Sequence, residues 1–230
     1  DTRGVRFQRE YLKPEFRLRE HGINSTVVLF GGARIPEPGK PAWAAKNETQ
    51  RRNLEAASRY YDEAREFARL CSRHSLSAGD GEFVIVTGGG PGVMEAGNRG
   101  AADVGAQSIG LNIVLPHEQA PNEYVTPELC FNFHYFAIRK MHFLMRAKLV
   151  AVFPGGFGTM DELFESLTLI QTGRMERVPV LLFGKEFWSK VIDLEFLAEQ
   201  GTISPGDAAL IDRVDTAAEA WDIVQDFYGI

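Results

Sequence analysis

Cysteine is nearly absent: Cys71 and Cys130 are the two in 230 residues, with no CxxC pair and no closely placed pair of histidines. That excludes a disulfide framework or a zinc site as the basis of the fold, and it fits a reducing cytoplasm. No run reaches the roughly 18 apolar residues of a membrane span, and no charged-then-apolar leader is visible. Neither a membrane association nor a signal peptide is expected. Basic clusters are equally scarce in a chain of net charge −6. The longest, Arg51-Arg52, is followed by Glu55, Asp62, Glu63 and Glu66, so it reads as a solvated helix face. A nucleic-acid backbone is therefore not an expected partner.

Glycine is the residue in surplus, with 23 of 230, or 10%, against an average of roughly 7%. Adding 11 prolines brings the pair to about 15%, well short of the roughly 25–30% of a low-complexity chain. With 44% hydrophobic and 11% aromatic residues there is material for one sizeable core, and one domain is the expectation for residues 25–230. Residues 1–24 are rich in Arg and Glu and read as an arm or short helices lying on the surface or on a partner subunit.

Short apolar runs bounded by glycine occur at Thr26–Phe30, Phe83–Val86, Ser108–Ile113, Leu149–Phe153 and Pro179–Phe183, each suited to a buried parallel strand. Helical patterns fall over Gln50–His74, Ala137–Lys148, Thr159–Gln171, Lys185–Glu199 and Thr216–Tyr228, the last opening on a Thr216/Glu219 capping box. Alternating strands and helices predict right-handed crossovers and a doubly wound, Rossmann-like parallel sheet in a three-layer α/β/α sandwich. Ligands of such sheets sit beyond the carboxyl ends of the strands, where the strand order reverses. Three of the expected strands run there into glycine turns: Gly31-Gly32-Ala33-Arg34, Gly88-Gly89-Gly90-Pro91-Gly92 and Pro154-Gly155-Gly156-Phe157-Gly158-Thr159. These turns are expected to converge.

Gly155, Gly156 and Gly158 leave backbone amides open to a ligand, and Thr159 adds a hydroxyl at the start of a helix, which together suit a phosphate. A tight strand-to-helix turn is the competing explanation. A dinucleotide fingerprint is not supported, because Gly88 to Val93 lacks its third glycine and Asn112 stands where a ribose-binding acid would be. Neither Gly39-Lys40-Pro41 nor Gly184-Lys185-Glu186 has phosphate-loop spacing. Glu162 lies one helical turn past the glycines and either points back toward a sugar or closes a capping box with Thr159. Asp161 is read as favouring the helix dipole. Arg139, His142, Phe143 and Arg146 share one face of their helix, with Ile138, Met141, Leu144 and Met145 as the expected buried stripe; Arg139 and Lys140 either reach a ligand or form a solvated cationic face. His134 and His142 are possible proton donors that more often pack or solvate, and His21, His74 and His117 have no visible partner.

Gly88 to Glu95, Arg139-Lys140 and Pro154 to Glu162 together resemble the signature of the Lonely Guy family, over about residues 25–200. That resemblance implies a nucleoside 5′-monophosphate phosphoribohydrolase, in a family often mislabelled as lysine decarboxylases. Its members release free base and ribose 5-phosphate from AMP, other purine monophosphates or cytokinin ribotides, and they form homodimers or larger assemblies with the site near the subunit interface. Carried onto this chain, Arg139 and Glu162 match the catalytic pair. Gly155, Gly156, Phe157, Gly158 and Thr159, with Gly89, Gly90, Met94 and Lys140, would bind substrate. Two departures, Glu95 after the methionine and a longer amino-terminal arm together with an insertion at about 36–46, bear on the cytokinin substrate more than on the reaction. No metal or organic cofactor is required. A carrier of a phosphorylated cofactor, like the molybdenum-cofactor carriers, is the alternative; a pyridoxal-phosphate decarboxylase would need Lys140 or Lys148 as its Schiff base.

Overall fold

The computed structural model describes residues 2–114 and 120–230, so His117 lies outside the described residues. Seven strands form one parallel sheet: β1 (Thr26–Phe30), β2 (Val84–Thr87), β3 (Ser108–Ile113), β4 (Cys130–Phe133), β5 (Ala147–Val152), β6 (Val180–Phe183) and β7 (Ile211–Val214). Their order is β4-β3-β2-β1-β5-β6-β7. The chain builds outward from β1 to β4, then returns to the other side of β1 and builds outward again. Residues alternate between the two faces of each strand. Val28, Phe30, Val150 and Val152 point into one apolar cluster, and Val27, Leu29, Leu149 and Ala151 into the other. The fold is thus the expected three-layer, doubly wound Rossmann-like α/β sandwich.

On the first face lie α1 (Arg3–Glu20), α5 (Phe136–Leu144), α6 (Phe157–Gln171), α7 (Lys185–Val191) and α8 (Leu194–Glu199), through buried residues such as Leu18, Phe143, Leu163, Trp188 and Leu194. On the other lie α3 (Arg59–Ala78), α4 (Val93–Ala102) and α10 (Ala217–Tyr228). Two further α-helices, α2 (Glu48–Ala57) and α9 (Pro205–Ala208), are described, and α2 buries none of its residues.

Several expectations need correction. The segment Gln50–His74 is two helices that break at Ser58, and Lys185–Glu199 is also two, separated by Ile192 and the capping Asp193. Phe83 is not in a strand: it adopts φ 57°, a left-handed conformation incompatible with a ladder, and β2 begins one residue later. The edge strands β4 and β7 escaped notice because each is only four residues long and carries polar side chains. Helix α4 was hidden by Gly97 and Gly100, poor helix formers that let it press against neighbours: a Cβ at Gly100 would collide with the Arg65 carbonyl of α3. The expected buried stripe of α5 holds only in part: Leu144 is buried and Ile138 packs against the core. Met141 and Met145 are 47% and 44% exposed, while His142 and Phe143 are buried. Helix α5 packs through His142 and Phe143 as well, because α1 and the sheet both lie on that side. Residues 3–20, expected as an arm or short helices, form one 18-residue helix packed on this chain through Leu18.

Candidate active site

The strand order reverses between β1 and β5, and a cavity of about 1180 Å³ opens above that point. Gly31, Gly32, Gly88, Gly155, Gly156 and Gly158 all line it, so the three glycine turns converge. Their approach is sterically close. Gly92 holds φ 69°, and a Cβ there would stand 2.5 Å from the Gly32 carbonyl oxygen. A Cβ on Gly155 would collide with Thr159 Oγ1. Gly156 is different: its φ is −98° and nothing lies within 4 Å of a Cβ built on it. The fold does not need glycine there, yet the open space lies against the amino end of α6, where unpaired amides and the helix dipole favour an anion.

Helix α6 starts at Phe157 with Gly156 as its N-cap and no side-chain cap. Thr159 therefore lies inside the first turn, and the Thr159/Glu162 capping box does not form. Glu162 instead is buried in the cavity wall, with Oε2 lacking any hydrogen-bond partner. Burial raises its pKa to about 7, against the opposing pull of Lys140 and then Arg139. Arg139 Nη1 stands 4.0 Å from Glu162 Oε1. The arginine is oriented by its Nε, which donates to the Leu111 carbonyl at 2.7 Å, and by its guanidinium lying 5.0 Å from the centre of the Phe143 ring. Burial also lowers its pKa, with Glu162 opposing. The pair is two oppositely charged groups in a poorly solvated wall, each with capacity left for a ligand.

Met94, Phe157 and Thr159 join the lining, and Phe157 is 94% exposed at the rim. Gly89, Gly90 and Lys140 are not in it. The carbonyls of Gly89 and Gly90 accept from Asn122, at 2.8 Å and 3.0 Å. Lys140 Nζ turns to α6, where it meets Asp161 Oδ2 at 2.9 Å and Glu165 Oε2 at 2.8 Å. It also bears on the cavity through its field at Glu162. Asp161 itself, read as a dipole partner, lines the cavity and holds this lysine. Lining residues absent from the sequence-based set include Arg34, Asn53, Tyr60 and Phe136. Arg34 closes the first glycine turn and was within reach of that signal; Asn53 lay in a helix read as solvated, and nothing marked it.

Glu95 accepts from the Tyr61 hydroxyl at 2.8 Å, and Arg99 links that hydroxyl to Glu37 in the insertion. Glu95 and the insertion thus meet in one network outside the cavity lining. His134 is exposed, and His142 lies buried against α1 rather than in the cavity. Among the described residues no cluster of His, Cys, Asp and Glu suits a metal ion, and no helix is long and apolar enough to cross a membrane.

Comparison with known proteins agrees with the fold. The chain is similar in fold to a molybdenum cofactor binding protein from Rippkaea orientalis: TM-score 0.55, 16% identity, covering 89% of this chain and 98% of that one. A molybdenum cofactor carrier protein from Chlamydomonas reinhardtii gives TM-score 0.55 at 18% identity, covering 90% and 98%. No curated protein sequence matches significantly. The family model described as possible lysine decarboxylase matches residues 94–224, more than half of the chain and including Met94, Arg139 and the whole Pro154–Glu162 turn. The chain belongs to this family, the one to which its Lonely Guy signature pointed.

Proposed function

We propose that the protein hydrolyses the N-glycosidic bond of a nucleoside 5′-monophosphate, AMP or a cytokinin riboside monophosphate, to free base and ribose 5-phosphate. The observation that carries this is Glu162: a buried carboxylate with one oxygen unpartnered, set beside Arg139 one helical turn beyond a glycine-lined helix terminus. Glycosidic cleavage develops positive charge at the anomeric carbon, which a carboxylate stabilises while it orients or activates water. A carboxylate with hydrogen-bonding capacity left free is the group for that task. Gly156, Gly158 and Thr159 hold the 5′-phosphate, and that remote binding fixes the ribose against Glu162. Arg139 keeps its proton, so it polarises or positions the substrate and does not deliver a proton to the leaving base.

The enzyme acts as a homodimer or larger assembly in the cytoplasm. Exposed Phe136, Met141, Met145, Phe157 and Phe164 on α5 and α6 support the assembly, since they place apolar surface beside the site. A lysine decarboxylase is disfavoured: Lys140 and Lys148, the candidates for a Schiff base, are paired with acids away from the cavity. A non-catalytic carrier of a phosphorylated cofactor is the second reading. Its support is a cavity of about 1180 Å³, beyond the roughly 300–1,000 Å³ of ordinary small-molecule sites.

Incubation with AMP and other monophosphates, followed by chromatography of the products, separates the two. Base and ribose 5-phosphate from the wild type and none from Glu162→Gln support the enzyme. Equal release from both removes Glu162 from the chemistry, and no release from any monophosphate removes the hydrolase reading.

A further inference from the structure

Helix α5 carries Arg139 but has no means of its own to hold its amino end. Its N-cap is Tyr135, which supplies no side-chain cap, and its first turn contains no acid. The partner comes from far away in sequence. Both carboxylate oxygens of Glu10, on α1, accept backbone amides there: Oε1 from His134 at 3.0 Å and Oε2 from Tyr135 at 3.2 Å. A negative charge at that end also complements the helix dipole.

The same residue is used a second time. Pro14, inside α1, has no amide hydrogen to give the carbonyl four residues back, which belongs to Glu10. That carbonyl accepts instead from His142 Nε2 at 3.2 Å, in the last turn of α5. Just beyond the end of α5, Glu15 takes both guanidinium ends of Arg146, at 2.5 Å and 2.9 Å. The entry, the last turn and the exit of one nine-residue helix are therefore all tied to α1. Arg139 lies one turn in from the amides that Glu10 holds, and the Arg139 amide itself donates to the Tyr135 carbonyl at 3.2 Å.

We propose that α1 is a splint for the site: Glu10 is a positioning residue that holds the two backbone amides leading into α5 and so fixes where the Arg139 guanidinium meets Glu162. The effect on turnover rests on the hydrolase reading above; the splint itself does not. Losing that hold frees the entry turn of α5 and displaces Arg139, while the glycine turn on α6, which meets the phosphate, is untouched. Turnover should suffer and substrate binding should not.

The test uses the full chain with Glu10→Ala and Glu10→Gln, the latter keeping one acceptor oxygen without the charge. Amide hydrogen exchange is followed at residues 134–140, with the amides of β1 and β5 as reference. Steady-state kcat and KM are measured on AMP. Expected are exchange at 134–140 at least about tenfold faster in Glu10→Ala with the reference amides unchanged, kcat lower by about tenfold, KM within about twofold, and partial recovery of both in Glu10→Gln. Unchanged exchange at 134–140, acceleration shared equally by the reference amides, or a loss carried by KM alone would each overturn the proposal. Should Glu10→Ala not fold, Glu10→Gln decides by the same exchange contrast. Should the wild type release base from no monophosphate, the hydrolase reading falls, and the exchange contrast alone upholds or overturns the splint.

Discussion

The Arg139 guanidinium stands 4.0 Å from the Glu162 carboxylate, too far for a hydrogen bond and near enough for each charge to ease the burial of the other. Burial nonetheless wins at both residues, since the acid is raised and the base lowered. Two groups kept this close and this unsatisfied are a cost to the fold, of the kind found where structure yields to function.

That cost has a pH window. Glu162 ordinarily titrates near 4.5 and does so at about 7 in the fold. Between those values the folded state holds a proton that the unfolded state has released, so this residue's contribution to stability falls as pH rises from 4.5 to 7 and is flat above. Glu162→Gln removes the term. Urea denaturation at pH 8 should find the variant more stable by roughly 1–3 kcal/mol, with the gain vanishing toward pH 4.5.

On the proposed hydrolase reading, the same titration governs turnover. If the carboxylate form stabilises the anomeric cation, kcat/KM should rise with pH to a plateau above about 7. Lys140, the strongest cationic influence on Glu162, holds that midpoint down from outside the cavity. Lys140→Met should therefore move the midpoint upward by about one unit, with KM little changed. A pH–rate profile of each protein checks both.

Arg139→Lys keeps the charge and loses the geometry. A lysine cannot donate to the Leu111 carbonyl through Nε and lie over Phe143 while still reaching Glu162, as the guanidinium does. The fall in kcat/KM on a monophosphate should be roughly 10²-fold, measured beside a thermal melt to show that the variant is folded.

Adjacent glycines should behave in opposite ways. Gly155→Ala forces a methyl into Thr159 and should lower stability by about 1–3 kcal/mol. Gly156→Ala meets open space in an extended conformation and should change stability by less than about 0.5 kcal/mol. Its methyl would instead stand where a phosphate approaches the amides, raising the KM for phosphorylated substrates by about tenfold. Denaturation curves and steady-state kinetics on the two variants separate a ligand cradle from a simple tight turn.

The layered sheet and its site region were legible because apolar runs ending in glycine are strong signals: β1, β3 and the turn at Pro154–Thr159 lie where the pattern puts them. What the pattern missed was set by tertiary contact. Met141 and Met145 read as core and are half-exposed, since what decides the inner face of α5 is α1, more than a hundred residues earlier. Glu162 was ambiguous between cap and cavity because the choice turns on where α6 begins, a matter of two residues. Lys140 matched a motif, yet its side chain is claimed by Asp161 and Glu165, a competition that spacing alone does not reveal.

The placement of β1 between β2 and β5 has one more consequence. Cavity walls running from Leu29 to Lys190 belong to both wings of the sheet, so a guest molecule has a seat only when both wings are built. Its binding energy then adds to the melting of the whole domain. At a hundredfold excess over the dissociation constant it should lift the transition by roughly 5–10 °C. A thermal-shift survey of phosphorylated metabolites would thus rank guests by occupancy alone, before any product has been looked for.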